Sequence, residues 1–183
     1  MRQIKDTNPT TYLMPQPLLR ATSMNFTLDH IEHSTDSRKE KVYWGEDDGP
    51  WLCGFRLPPF QRPAVWSCAQ QVRFLESAWL GLHLGTYVVN RVDRWDHRLD
   101  KPHHMDLWLI DGQQRLRALS AYWQDEFPIF GHVWSALDKA ERRRFGSYTF
   151  TQSVVHVEDE ALARELYNRM NFGGTPHVEG QRA

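Results

Sequence analysis

Leu109-Ile110-Asp111-Gly112-Gln113-Gln114-Arg115-Leu116-Arg117-Ala118-Leu119 is the stretch around which the chain is organised. The residues leading into it, Met105-Asp106-Leu107-Trp108, continue with Leu109-Ile110 as an apolar, aromatic and branched run without Gly or Pro, which predicts a strand. Asp111-Gly112 interrupts that run. From Gly112 the pattern turns helical, because Leu116, Leu119 and Trp123 recur at helical spacing and make one face apolar. A strand-to-helix junction presents free backbone N–H groups where an anion is favoured. Arg115 and Arg117 add positive charge, and the arginine fork suits phosphate. The stretch therefore predicts a site for a phosphorylated ligand.

A purely structural reading uses the same residues. Asp111 is a good N-cap, and Gln114 three residues on completes a capping-box-like pair. Gly112 allows a tight turn. Capping leaves the pairing of Gln113 with Arg115 unexplained.

Asp-Gly-Gln-Gln-Arg after an apolar strand resembles the signature of the family found at the front of GmrSD-type restriction enzymes, within the ParB/sulfiredoxin superfamily. Two further stretches resemble that family. Leu57-Pro58-Pro59-Phe60-Gln61-Arg62-Pro63-Ala64-Val65-Trp66 is similar to its early proline, Gln-Arg and tryptophan segment. Leu166-Tyr167-Asn168-Arg169-Met170-Asn171-Phe172-Gly173-Gly174-Thr175-Pro176 is similar to its late Asn-x-x-Gly segment. The three occur in the family's order.

Composition sets the bounds. The 183 residues suit one domain with an extra arm, and a chain of this size buries about 70% of its unfolded surface. Eight tryptophans are expected mainly in the core. The net charge is −1 with acids and bases interspersed, which argues against a protein that coats DNA. Cys53 and Cys68 form no Cys-x-x-Cys pair, so neither a zinc ribbon nor a disulfide scaffold is indicated. The first residues lack an apolar signal region, and no run of about 18 apolar residues exists to span a membrane. A cytoplasmic protein without a membrane partner is expected.

Residues 1–40 are expected to be an arm, partly irregular, with Pro9, Pro15 and Pro17 and a short helix around Leu28-Asp29-His30-Ile31. Residues 41–183 are expected to form the domain. Lys41-Val42-Tyr43-Trp44 reads as a strand, and Glu46-Asp47-Asp48-Gly49-Pro50 as a solvated acidic turn. Trp51 to Leu57 reads as one strand stopped by Pro58-Pro59. Ser67 caps a helix to about Leu82, with Val72, Leu75, Trp79 and Leu82 on its apolar face. Thr86 to Val92 is a strand, and residues 93–104 are a charged loop. His103-His104-x-Asp106 lacks convergent metal-ligand spacing. Phe127-Pro128-Ile129-Phe130 reads as a short turn or strand. Ser135 or Asp138 starts a helix through Arg144, whose Glu141-Arg142-Arg143-Arg144 is a solvated end. Tyr148 to Val157 is a strand. Glu158-Asp159-Glu160 opens a last helix with Leu162, Leu166 and Met170 along one face, ended by Gly173-Gly174. Irregular alternation of strands and helices indicates an α+β fold. The resemblance implies a small mixed sheet flanked by helices, ParB/sulfiredoxin-like.

The resemblance also implies a pocket that binds or hydrolyses a nucleoside triphosphate with magnesium on the phosphates. Carried over by motif, its nucleotide-binding residues are Gln61, Arg62, Gly112, Arg115, Asn168 and Asn171, and its catalytic residues Asp111, Gln113, Gln114 and Arg115. Arg62 and Arg115 would stabilise phosphate charge, and Asp111 would hold magnesium or orient a water. Ala118 stands where the family usually has threonine, and in this the helix resembles the ParB one. Nothing here resembles the histidine-dependent nuclease region of GmrSD-type proteins, so restriction by these residues alone is not expected. Neither cysteine lies in the motif, which excludes sulfiredoxin chemistry, and no Walker-type loop is present. Three functions compete: a nucleoside triphosphatase in phage defence, anti-defence or DNA processing, a DNA-binding or nicking ParB-like protein, and a non-catalytic module. The last would bind a separate nuclease or another protein.

Overall fold

The computed structural model describes residues 17, 19–34, 49–92, 95–96 and 101–172. The readings of Lys41–Trp44 as a strand, of Glu46–Asp48 as a turn and of Gly173-Gly174 as a helix stop lie outside these residues.

The core is a four-stranded mixed sheet, as expected for α+β. Its strands are β1 (Thr22–Thr27), β8 (Thr149–Val155), β4 (Thr86–Asn90) and β7 (Leu109–Asp111), in that spatial order. β4 lies parallel to β8, whereas β1 and β7 run antiparallel to their neighbours. β4 is buried on both faces through Tyr87, Val88, Val89 and Asn90, which explains its near-continuous apolar run. On one face Tyr87, Val89, Leu109 and Phe150 join the larger core cluster. That cluster is completed by α1 (Leu28–Ser34), α2 (Cys68–Trp79), α3 (Gln113–Trp123) and α4 (Lys139–Gly146). On the other face Val88, Ile110 and Val155 pack with Ala163 and Tyr167 of α5 (Glu160–Phe172).

Several expectations shift by a few residues for identifiable reasons. Thr22–Thr27, read as part of an arm, is the edge strand beside β8, and Leu28 and Ile31 of α1 are fully in the core. Met24 and Phe26 alternate with Ser23, Asn25 and Thr27, but Met24 stays exposed and only Phe26 packs on the core, because backbone pairing more than burial holds an edge strand. Trp51 to Leu57 is not one strand. It is a hairpin of β2 (Trp51–Leu52) and β3 (Phe55–Arg56). Cys53 (φ 50) and Gly54 (φ 77) form its turn, with positive φ at both central positions as the strand twist prefers. A cysteine in that conformation gives no sequence signal. Residues 105–107 are a turn, so β7 starts at Leu109. Within 93–104, β5 (Trp95–Asp96) pairs with β6 (Lys101–Pro102). Leu82 and Met170 are exposed rather than on the buried faces assigned to them, since α2 ends at Trp79 and α5 turns Ala163 and Tyr167 inward.

Ser67 caps α2 in a complete capping box with Gln70, and Asp138 caps α4 by accepting from the Glu141 N–H at 2.8 Å. Ser135 lies instead in a short 3-10 turn, Trp134–Ala136.

The two thiols differ in environment. Cys53 is buried and burial pushes its pKa up to about 12, whereas Cys68 is exposed. Because the thiolate is the nucleophile, iodoacetamide at pH 8 is expected to label Cys68 alone, with Cys53 reacting only after denaturation. Intact mass after each treatment reads this directly. Two labels on the native protein would mean that Cys53 is not held in the core.

Candidate functional site

The site begins where β7 ends. Gly112, the N-cap of α3, adopts φ 99 and offers no side-chain cap bond. A Cβ there would strike the side chain of Tyr87 on β4 and sit 3.1 Å from its Cα. Only glycine fits, since it carries no Cβ and tolerates positive φ. The expected capping box is therefore absent. Asp111 is the last residue of β7, and its Oδ2 accepts from Arg115 Nη2 at 2.8 Å. The first turn of α3 has no side-chain cap, which leaves its N–H groups without that partner.

Gln114 has a different task. Its Oε1 accepts the backbone N–H groups of Val65 (3.0 Å) and Trp66 (3.1 Å), tying the proline-rich segment to the start of α3. Tyr167 Oη accepts the Arg62 N–H at 3.2 Å and joins α5 to that segment. Asn171, one turn on, donates from Nδ2 to the Tyr167 carbonyl at 2.9 Å. These bonds gather three segments that are distant in sequence.

The result is a cleft of about 220 Å³. Gln61, Arg62, Asp111, Gly112, Gln113, Gln114, Arg115 and Asn171 line it, together with Trp66 and Tyr167. Of the residues carried over by motif, Asn168 alone does not line it, and it lies on the exposed side of α5. Helical spacing explains this: a residue one position after the buried Tyr167 is turned roughly 100° away, whereas Asn171 at i+4 returns to the same face. Trp66 and Tyr167 stand inside the two flanking motif segments but were not among the site residues carried over. Ala118 is fully buried away from the cleft, so alanine or threonine at that place is a matter of packing.

Arg115 is held from three sides. Asp111 pairs with it, its guanidinium carbon stands 5.9 Å from the centre of the Phe150 ring, and Gly85 lies beneath it. A Cβ on Gly85 would come within 2.5 Å of Arg115 Nη1. A fork fixed in this way beside uncapped N–H groups is suited to an oxyanion.

The family described as GmrSD restriction endonuclease, N-terminal domain, matches residues 40–177 of the chain. No curated protein and no solved structure matches it. No helix among the described residues is long and apolar enough to cross a membrane.

Proposed function

The chain belongs to the family of the GmrSD restriction endonuclease N-terminal domain, and from that premise we propose that its cleft binds a nucleoside triphosphate with magnesium and hydrolyses it slowly in a phage-defence system. The observation that carries this reading is the convergence of Arg62, Arg115 and the uncapped start of α3 on one cleft. Two guanidinium groups and a helix N-terminus offset the charge of a polyphosphate.

The donor set fits magnesium carried in on the nucleotide. Magnesium takes oxygen ligands, needs only one or two carboxylates and keeps several waters. Asp111 and the amide oxygen of Asn171 would hold it, and it would neutralise charge on the phosphates. Arg115 and Arg62 bind phosphate oxygens. Gln113 orients a water toward the terminal phosphorus. The new P–O bond forms from that water as the bridging P–O bond breaks, its electron pair leaves with the nucleoside diphosphate, and the water's proton ends on the released phosphate.

A DNA-binding role draws less support, because the balanced charge supplies little phosphate neutralisation. The test is a thermal-shift series with the four ribonucleoside triphosphates and magnesium. A ligand that binds only the folded state raises its apparent stability by about 2.7 kcal/mol at a hundredfold excess over Kd. A melting temperature that none of the four raises at millimolar concentration would favour the interaction module.

A further inference from the structure

A second cleft, of about 580 Å³, adjoins the first. Gln61, Arg62 and Gln113 line both, so the two spaces share one wall. The first is smaller than typical small-molecule sites of about 300–1,000 Å³, and the second lies within that range. Their linings differ. Charged and amide groups dominate the first. Pro58, Pro59, Pro63 and the largely buried Trp108 line the second, with His104 and Arg117.

The shared wall holds a polar group without a partner. Gln113 is 6% exposed and lines both clefts. Beside it, Gln61 Oε1 is buried and has no hydrogen-bond partner among the described residues. Buried polar groups are nearly always paired, so this exception calls for a partner from outside those residues. Arg117 is exposed, makes no ion pair among the described residues and lines only the second cleft, whereas its neighbour Arg115 lines only the first.

We infer that the second cleft takes the nucleoside of the triphosphate whose phosphates lie in the first. This rests on the nucleotide reading above and deepens it. A nucleoside triphosphate has a compact polyanionic end joined to a larger end that is flat, apolar on its faces and polar at its edges. The two clefts match those two ends in size and in chemistry. The proline side packs against base and sugar faces. Gln61 meets the polar edge at the junction, its Oε1 accepting from an N–H or O–H of the nucleoside. The guanidinium of Arg117 stacks on the base or pairs with its carbonyl oxygen.

The experiment compares calorimetric affinities of the full chain for the four ribonucleoside triphosphates and for inorganic tripolyphosphate, each with magnesium. The readout is the ratio of nucleotide to tripolyphosphate affinity, which cancels general electrostatic effects. At least one nucleotide is expected to bind tenfold or more tighter than tripolyphosphate. Arg117→Gln, an exposed change, and His104→Ala are expected to lower that ratio at least threefold, whereas Arg115→Ala weakens both ligands together. A parent that binds tripolyphosphate as tightly as every nucleotide overturns the inference and leaves the phosphate site standing. Ratios unchanged in both second-cleft variants, each with a native melting profile, overturn it in the same way. Binding of neither ligand overturns the nucleotide reading and this inference with it.

Discussion

Asn90→Ala is expected to cost about 3–6 kcal/mol of folding stability, on the scale of the penalty for orphaned buried polar groups. Asn90 is fully buried at the end of β4. Its Nδ2 donates to the carbonyls of Met105 (2.9 Å) and Val157 (2.8 Å), and its Oδ1 accepts the Val157 N–H at 2.8 Å. One side chain thus satisfies three backbone groups on the segments that precede β7 and follow β8. Alanine leaves all three without a partner and opens a cavity beside them. Each buried group left unsatisfied costs about 1–3 kcal/mol. Domains hold only about 5–15 kcal/mol in total, so the loss is a large share. Urea unfolding is the measurement, and at a slope of about 2–3 kcal/mol/M for a chain of this size the midpoint should fall by roughly 1–3 M. Asn90→Asp should be no rescue, because a carboxylate keeps the acceptor but faces the two carbonyls without donors. A loss below about 1 kcal/mol in the alanine variant would show that the three groups find other partners.

Arg115→Ala is expected to weaken nucleoside triphosphate binding roughly ten- to hundredfold while barely moving the melting temperature. A charge-assisted hydrogen bond contributes about 1.5–3 kcal/mol, which sets that range. The Asp111–Arg115 pair is partly exposed, with side chains 26% and 23% accessible, and a pair of this kind adds only about 0–1 kcal/mol to folding. Leu119→Ala is the opposite case. Leu119 is fully buried in the larger core cluster, on the same helix as Arg115. A buried Leu→Ala change costs about 2–5 kcal/mol, or roughly 5–15 °C in a domain of this size. Calorimetric affinity and circular-dichroism melting on parent and both variants separate the two effects. Full affinity in a folded Arg115→Ala protein would remove Arg115 from the site.

These two predictions divide along what a sequence displays. The strand, break and helix from Leu109 to Trp123 were legible because apolar period and a glycine are local properties of the chain. The same holds for the Ser67 N-cap and the apolar run of β4. The polar Gln-Arg, Asp-Gly-Gln-Gln-Arg and Asn-bearing segments were legible as motifs. Their meeting in one cleft was an expectation of the family's order, and the fold places all but Asn168 there.

What only the tertiary structure decided concerns partners distant in sequence. Asp111 looked like an N-cap because local rules favour one, yet it pairs with Arg115, and Gln114 serves Val65 and Trp66 instead of completing a capping box. Gly112 is required by Tyr87, and Gly85 clears space for Arg115, although neither demand is written near either glycine. Asn90 shows nothing in sequence beyond a polar residue within a strand. Its weight comes from Met105 and Val157, which the sheet order brings to it. Local chemistry determined the elements and the type of ligand group, because those follow from neighbours along the chain. Which donor meets which acceptor was set by strand pairing and packing, because a side-chain hydrogen bond depends on ångström distances that only the folded chain fixes.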